Sequence, residues 1–242
     1  MVMPFYLLWL GFKLVIVMGN ENNGFKNTTI TSKLSVLKNA TLIPDLSMKD
    51  IKRKAAELST DVNKITINDV LQTILSKTLH DYLRLHADDK DTEWLKMACP
   101  FSLRPPPKKL GDYTFDNNFA IVNLAFRLVD SLEGGVQLIH RDMQRLKTSI
   151  EPVGLFFLIK IVMQTPHFIR YLVFEDYTNK MTFGFSNVPG PKLPYVVCGV
   201  ENRGMGFIMP GSRSMVGSFS FISHADVMKI GISLDKAVME DP

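Results

Sequence analysis

The sequence predicts an α/β domain, and three observations carry that expectation. Met181, Phe183 and Phe185 alternate with Thr182, Gly184 and Ser186, the period-two pattern of a strand. Ile67, Val70, Leu71, Ile74, Leu75, Leu79 and Tyr82 form an apolar stripe of helical period behind the capping signature Thr66-Ile67-Asn68-Asp69. Runs at Tyr195–Val200, Met215–Ile222 and Val227–Leu234, separated by glycines and by Ser223-His224-Ala225-Asp226, read as a closing β meander.

At 242 residues the chain can build one sizeable core or two small ones. Its net charge of +4 suits a phosphate-bearing partner or an anionic membrane surface and makes no case for nucleic acid. Cys99 and Cys198, both in apolar stretches, read as buried thiols in a reducing compartment. Neither the cysteines nor the histidines have metal-ligand spacing, so no metal is expected.

Taken in order, Met1–Met18 is apolar apart from Pro4 and Lys13. At about 1.5 Å per residue it would just cross a hydrocarbon core of about 30 Å. Lys13 costs roughly 2.5–3.5 kcal/mol near mid-span, less if it snorkels from one end. A span, an interfacial helix and a buried helix all stay open, with membrane contact expected over simple burial. The expected division is a hydrophobic segment at 1–19, a polar linker at 20–32 and a folded lobe at 33–242.

Ser47-Met48-Lys49-Asp50 starts a helix through Ile51, Ala55 and Leu58, with Lys49, Lys52, Arg53 and Lys54 on a solvated side. Asp69, three residues after Thr66, is placed to cap its own helix; Asn68 has no such duty. Trp94–Leu103 is a strand candidate, ended by the rigid basic run Arg104-Pro105-Pro106-Pro107-Lys108-Lys109. Asn118–Val129 reads as a second strand and Ser131–Ser149 as a helix. Gly154–Tyr177, broken at Thr165-Pro166, reads as two short buried helices or a surface facing a partner. Beyond Ser186, Pro189-Gly190 fits the centre of a type II turn, with Gly190 at positive φ. Gly204-Met205-Gly206 reads as a hairpin turn. Gly184 and Ser186 leave one strand face bare enough for another backbone or a thin ligand to lie close.

Ser186-Asn187-Val188-Pro189-Gly190-Pro191 resembles the Asn-Val-Pro-Gly-Pro signature of the wax ester synthase/diacylglycerol acyltransferase family, the bacterial-type O-acyltransferases. Thr66–Leu71 resembles that family's Asn-Asp motif, and Pro100-Phe101-Ser102-Leu103-Arg104 its Pro-x-Ser-x-Arg segment. The similarity runs from about Lys33 to Pro242. It implies the C-terminal lobe of a chloramphenicol acetyltransferase-like, condensation-domain-like fold, a mixed sheet flanked by helices. In that fold two lobes enclose a tunnel where acyl-CoA, as co-substrate, meets a long-chain alcohol or a diacylglycerol. Carried over residue by residue, the substrate-binding candidates are Asn68, Asp69, Ser186, Asn187 and Gly190.

The resemblance also implies a His-His-x-x-x-Asp-Gly base motif, which this sequence lacks. His80, His86, His140, His167 and His224 are never adjacent and read as surface or capping residues. No catalytic residue is therefore assigned here. An N-terminal catalytic lobe is the implied partner, and the implied location is an intracellular membrane: endoplasmic reticulum, plasma membrane or lipid droplet surface. The alternatives are a catalytically silent acyl-CoA- or lipid-binding module and a structural subunit completing a separate lobe.

Overall fold

The computed structural model describes residues 2–87, 89, 91–104, 118–202 and 204–238. The proline-rich run after Arg104 lies outside these residues, as does Asp241-Pro242. Helix α1 (Val2–Phe12) continues into a π-helical turn (Lys13–Val17) and is followed by the short α2 (Thr28–Thr31). Then come β1 (Lys38–Leu42), β2 (Leu46–Ser47), α3 (Met48–Leu58), α4 (Ile67–His86), β3 (Trp94–Ser102) and β4 (Phe119–Arg127). Helices α5 (Leu132–Thr148), α6 (Glu151–Met163) and α7 (His167–Asn179) lead to β5 (Phe183–Val188). A two-strand hairpin, β6 (Val196–Val197) and β7 (Val200–Glu201), precedes β8 (Gly217–His224) and β9 (Val227–Asp235).

The main sheet has the order β1-β9-β8-β5-β3-β4, with β2 also on β9. Strands β3, β5 and β8 are mutually parallel, while β4, β9 and β1 are antiparallel to their neighbours. The mixed sheet is as expected, but the C-terminal part is not a meander. β5 pairs parallel with β8, and of the described strands from β5 onward only β8 and β9 form a hairpin of the main sheet. Two parallel neighbours need a crossing connection, and residues 189–216 supply it.

That connection explains the bare strand face. Register aligns Gly184 with Ser218 and Ser233, and Ser186 with Ser220 and Gly231, giving two rows of small residues on one side of the sheet. Across them lies the backbone of the crossing segment. Met209 N–H donates to Ser220 Oγ at 2.8 Å, and Ser218 Oγ donates back to the Met209 carbonyl. A Cβ added at Gly231 would stand 2.5 Å from the Phe207 carbonyl oxygen, so no side chain fits there. Gly204–Gly206 is thus part of the crossing segment rather than a hairpin turn. The hairpin turn is Cys198-Gly199, both at positive φ, as a two-residue loop requires. This leaves Cys198 exposed, against expectation, while Cys99 is buried and its thiol is pushed up to about 12 by that burial.

The opposite side of the sheet carries the large side chains. Phe183, Phe185, Phe219 and Phe221 are all buried and packed ring on ring, with Phe126 against Phe185 and Phe25 bridging Phe183 to Tyr82 of α4. Helix α4 starts with a complete capping box, and Ser47 caps α3 by accepting from Asp50 N–H.

Residues 20–32, expected as a polar linker, are tied into this body. Lys26 is 1% exposed, and its Nζ donates to the carbonyls of Asn179, Met181 and Ser214 at 2.8, 2.7 and 2.6 Å. Burial lowers its pKa to about 8, which keeps it mostly charged at neutral pH. Asn23 adds bonds to Glu21 and Thr182. The polarity of this stretch faces inward because three carbonyls, at the end of α7, between α7 and β5 and at the end of the crossing segment, need a donor.

The N-terminal segment also packs on the body. Leu10, Leu14 and Met18 are buried, Tyr6 closes on Gly154 of α6, and Lys13 pairs with Glu151 at 3.5 Å. Phe5, Leu8, Trp9 and Phe12 face outward. No described helix is long and apolar enough to cross a membrane. Helices α6 and α7 break at Thr165-Pro166 as expected; Phe157, Ile161, Phe168 and Leu172 are exposed, so of the two readings of this stretch it is the buried one that fails.

Lys26→Met should strand three acceptors at about 1–3 kcal/mol each. The expected outcome is a loss of about 3 kcal/mol or more in urea unfolding at neutral pH. A variant as stable as the parent would show that this lysine ties nothing down.

Candidate functional site

The three parallel strands end on the same edge of the sheet, where open α/β sheets place their ligands. That edge holds Ser102 at the end of β3, Asn187 and Val188 at the end of β5, and Ser223-His224 at the end of β8. The N-terminus of α4 meets it, since Asn187 Nδ2 donates to Asn68 Oδ1 at 2.9 Å. One hydrogen bond thus joins two of the sequence motifs across 119 positions. Both asparagines are half-buried. The bond uses the Asn68 carbonyl, and among the described residues the Asn68 amide N–H groups donate to nothing.

Asp69 is occupied otherwise. Its Oδ2 accepts from Thr66 N–H at 2.8 Å, Thr66 Oγ1 at 2.7 Å and His140 Nδ1 at 2.8 Å. It is 1% exposed, and its Oδ1 is buried without a partner. These bonds cap α4 and staple it to α5. The adjacent residues Asn68 and Asp69 therefore divide into one facing the strand end and one facing the core.

Ser186 and Asn187 divide likewise. Asn187 shares the aromatic face with Phe183 and Phe185, whereas Ser186 is buried in the small-residue row under the crossing segment. Gly190 lies further along, and its expected turn is not there. Among the described glycines only Gly199 has positive φ, and Pro189 and Gly190 fall in neither a strand nor a turn. What Gly190 provides is proximity to the β8–β9 turn. A Cβ there would fall 1.9 Å from the Ser223 carbonyl oxygen. Gly190 N–H donates to Ser223 Oγ at 3.1 Å, and Ala225 N–H donates to the Pro191 carbonyl at 2.8 Å.

Two histidines read as surface or capping residues are buried. His140 bridges to Asp69 as described. His224, 2% exposed, lies at the same sheet edge, edge-on to Tyr195 at 5.7 Å, with its Nε2 unpartnered. His224 continues the strand alternation past Ile222, a signal that reading Ser223–Asp226 as pure turn obscured. Among the described residues no three His, Cys, Asp or Glu side chains converge as metal ligands would.

The edge thus offers two paired asparagines, a glycine-tight strand end and a buried histidine, and it contains no nucleophile–base pair. It can orient a polar group or donate to an oxygen; His224, whose Nε2 is unpartnered, has the strand parity of Ser218 and Ser220 and so stands on the sheet face opposite Asn187.

The sequence model of the family described as WS/DGAT C-terminal domain matches residues 116–242. No curated protein matches the sequence. Among solved structures, the wax ester synthase/diacylglycerol acyltransferase from Marinobacter aquaeolei VT8 superposes with a TM-score of 0.58 at 16% identity, covering 98% of this chain and 52% of that one. The trichothecene 15-O-acetyltransferase from Fusarium sporotrichioides gives 0.62 at 14%, covering 98% and 48%. The epimerization domain from the third module of tyrocidine synthetase B gives 0.52 at 10%, covering 97% and 50%. These likenesses establish the fold, and the chain spans about half the length of each.

Gly190→Ala should lower stability by about 1–3 kcal/mol in denaturant titration, because the Ser223 backbone has to move. Gly190→Asn separates the two explanations, since asparagine tolerates positive φ but not crowding. It should be at least as damaging as alanine; rescue by asparagine would restore the turn.

Proposed function

The chain belongs to the WS/DGAT C-terminal domain family, and from that premise we propose that it forms the C-terminal lobe of an O-acyltransferase. The reaction we assign moves an acyl group from acyl-CoA to a long-chain alcohol or a diacylglycerol, giving a wax ester or triacylglycerol. The acceptor oxygen attacks the thioester carbonyl, an oxyanion forms, and the CoA thiolate leaves as the carbonyl returns. The proton of the acceptor goes to a base.

In this reading the base belongs to an N-terminal catalytic lobe, since the chain has no adjacent histidines. This lobe supplies one wall of the tunnel at the sheet edge. The observation that carries the proposal is the Asn187–Asn68 bond, which brings the family-like Asn-Val-Pro-Gly-Pro and Asn-Asp segments to one point. Asn187 holds Asn68 by its carbonyl, so the Asn68 amide is presented as a donor to the substrate or the oxyanion. Asp69, Ser186 and Gly190 support that geometry from behind. Long-chain substrates place the protein on an intracellular membrane or a lipid droplet surface, and the outward aromatic residues of α1, α6 and α7 support this.

The 242-residue chain alone should form no ester from acyl-CoA and hexadecanol or diacylglycerol. General-base assistance is worth about 10²–10⁴ in rate, and half the tunnel is needed to align the reactants. Fused to or co-expressed with a family N-terminal lobe, it should form ester. In that protein Asn68→Ala should lower kcat about 10²-fold with little change in Tm, as for loss of an oxyanion donor. Asn187→Ala should follow it in the same direction. Robust transfer by the isolated chain would overturn the assignment, because one of its own histidines would then be the base. A folded pair that binds acyl-CoA without transferring it would instead identify a silent binding module.

A further inference from the structure

Ser223, next to last in β8, is a hydroxyl on the candidate edge that neither the sequence motifs nor the asparagine pair absorbs. In the parallel β5–β8 register Asn187 stands beside Phe221, so Ser223, two residues on, lies on the same sheet face as Asn187. A rise of about 3.3 Å per residue and a strand spacing of about 4.8 Å set the two backbones about 8 Å apart, near enough for one substrate group to meet side chains from both. The hydroxyl is half-buried and half engaged. Its Oγ accepts from Gly190 N–H at 3.1 Å, and among the described residues its O–H donates to none. Asn68 repeats the arrangement, with its carbonyl engaged and its amide not.

We propose that Ser223 is a second hydrogen-bond donor to the reacting carbonyl oxygen, acting beside Asn68. The inference rests on the transferase reading above and extends it by one residue. A donor stabilises developing charge only if its direction is fixed beforehand, and the backbone that carries Ser223 is pinned from three elements. Ala225 N–H donates to the Pro191 carbonyl at 2.8 Å, and Met48 N–H, at the start of α3, donates to the Asp226 carbonyl at 2.9 Å. On the third side β9 pairs through Val227 and Met228. Between these bonds Ala225 is held at a φ of 50°, the left-handed conformation that a two-residue hairpin turn imposes and that an alanine side chain resists. Strain of this kind persists only where the surroundings over-determine it, as they do here. Gly190 N–H occupies the acceptor side of the hydroxyl, so its hydrogen is turned away from Gly190.

The test uses the full chain joined to a family N-terminal lobe. Ser223→Ala should lower kcat about 10²-fold, with KM for acyl-CoA and for hexadecanol nearly unchanged, because the bond strengthens only as charge develops. Ser223→Asp separates the donor from the clamp. Its carboxylate still accepts from Gly190 N–H, so Tm should stay above that of Ser223→Ala. It has no hydrogen to give, so kcat should fall at least as far. Ser223→Thr keeps both functions and should recover about tenfold or more in kcat over alanine. If Ser223→Ala does not fold, the comparison of threonine with aspartate decides alone. Turnover restored in Ser223→Asp, or undiminished in Ser223→Ala, would overturn the proposal and leave the serine a clamp for the Gly190 segment. Ester formation that falls with Asn68→Ala and not with Ser223→Ala sinks this inference alone. A parent pair that forms no ester sinks the transferase reading, and this inference with it.

Discussion

Strands β5 and β8 are buried on both faces, and what covers each face dictates nearly everything around them. One face takes large side chains, which pack ring on ring and, through Phe25, against Tyr82 of α4. The other is covered by extended backbone, which carries N–H and C=O groups that cannot be left unpaired. Only Gly and Ser fit beneath it, and serine does both tasks, being small and able to bond the Met209 backbone from either side. The alternation Phe-Gly-Phe-Ser in β5 and Phe-Ser-Phe in β8 is the sequence form of that constraint. It also decides which way Asn187 faces. With Phe183 and Phe185 turned toward α4, parity forces Asn187 the same way, against the start of that helix.

The parts of the fold that were legible in the sequence are those fixed by local physics. The Thr66 capping box, the Ser47 cap, the break at Thr165-Pro166 and the period-two strands all appear where their residues place them. What was not legible depends on long-range approach. Gly190 looks like a turn glycine next to a proline, yet it is required by a carbonyl belonging to Ser223, far along the chain. Lys26 looks like a linker residue because nothing local tells a chain that three carbonyls elsewhere need an ammonium. His140 looks like one polar residue among others on α5 until Asp69 is brought to it. The short strand β1 was missed because Lys38–Leu42 has no apolar alternation; its partner β9 determines it.

The site itself was half legible. The two motifs do meet, since Asn68 and Asn187 touch, but motif membership alone does not separate the residue that faces the strand end from the one beside it. That separation comes from counting bonds. Asp69 spends its Oδ2 on three donors and leaves its Oδ1 buried with none, an arrangement that makes sense only if the carboxylate is needed where it is for the helix start. Thr66 and His140 fix it from two elements at once, so the first turn of α4 has little freedom to shift relative to α5. A rigid first turn is what lets Asn68 hold a fixed direction toward Asn187 without a bond of its own to the helix. The architectural residue and the candidate binding residue are therefore not competitors for one role. Asp69 makes the geometry, Asn68 presents it, and the small-residue rows beneath the crossing segment keep the strand end in register to receive it.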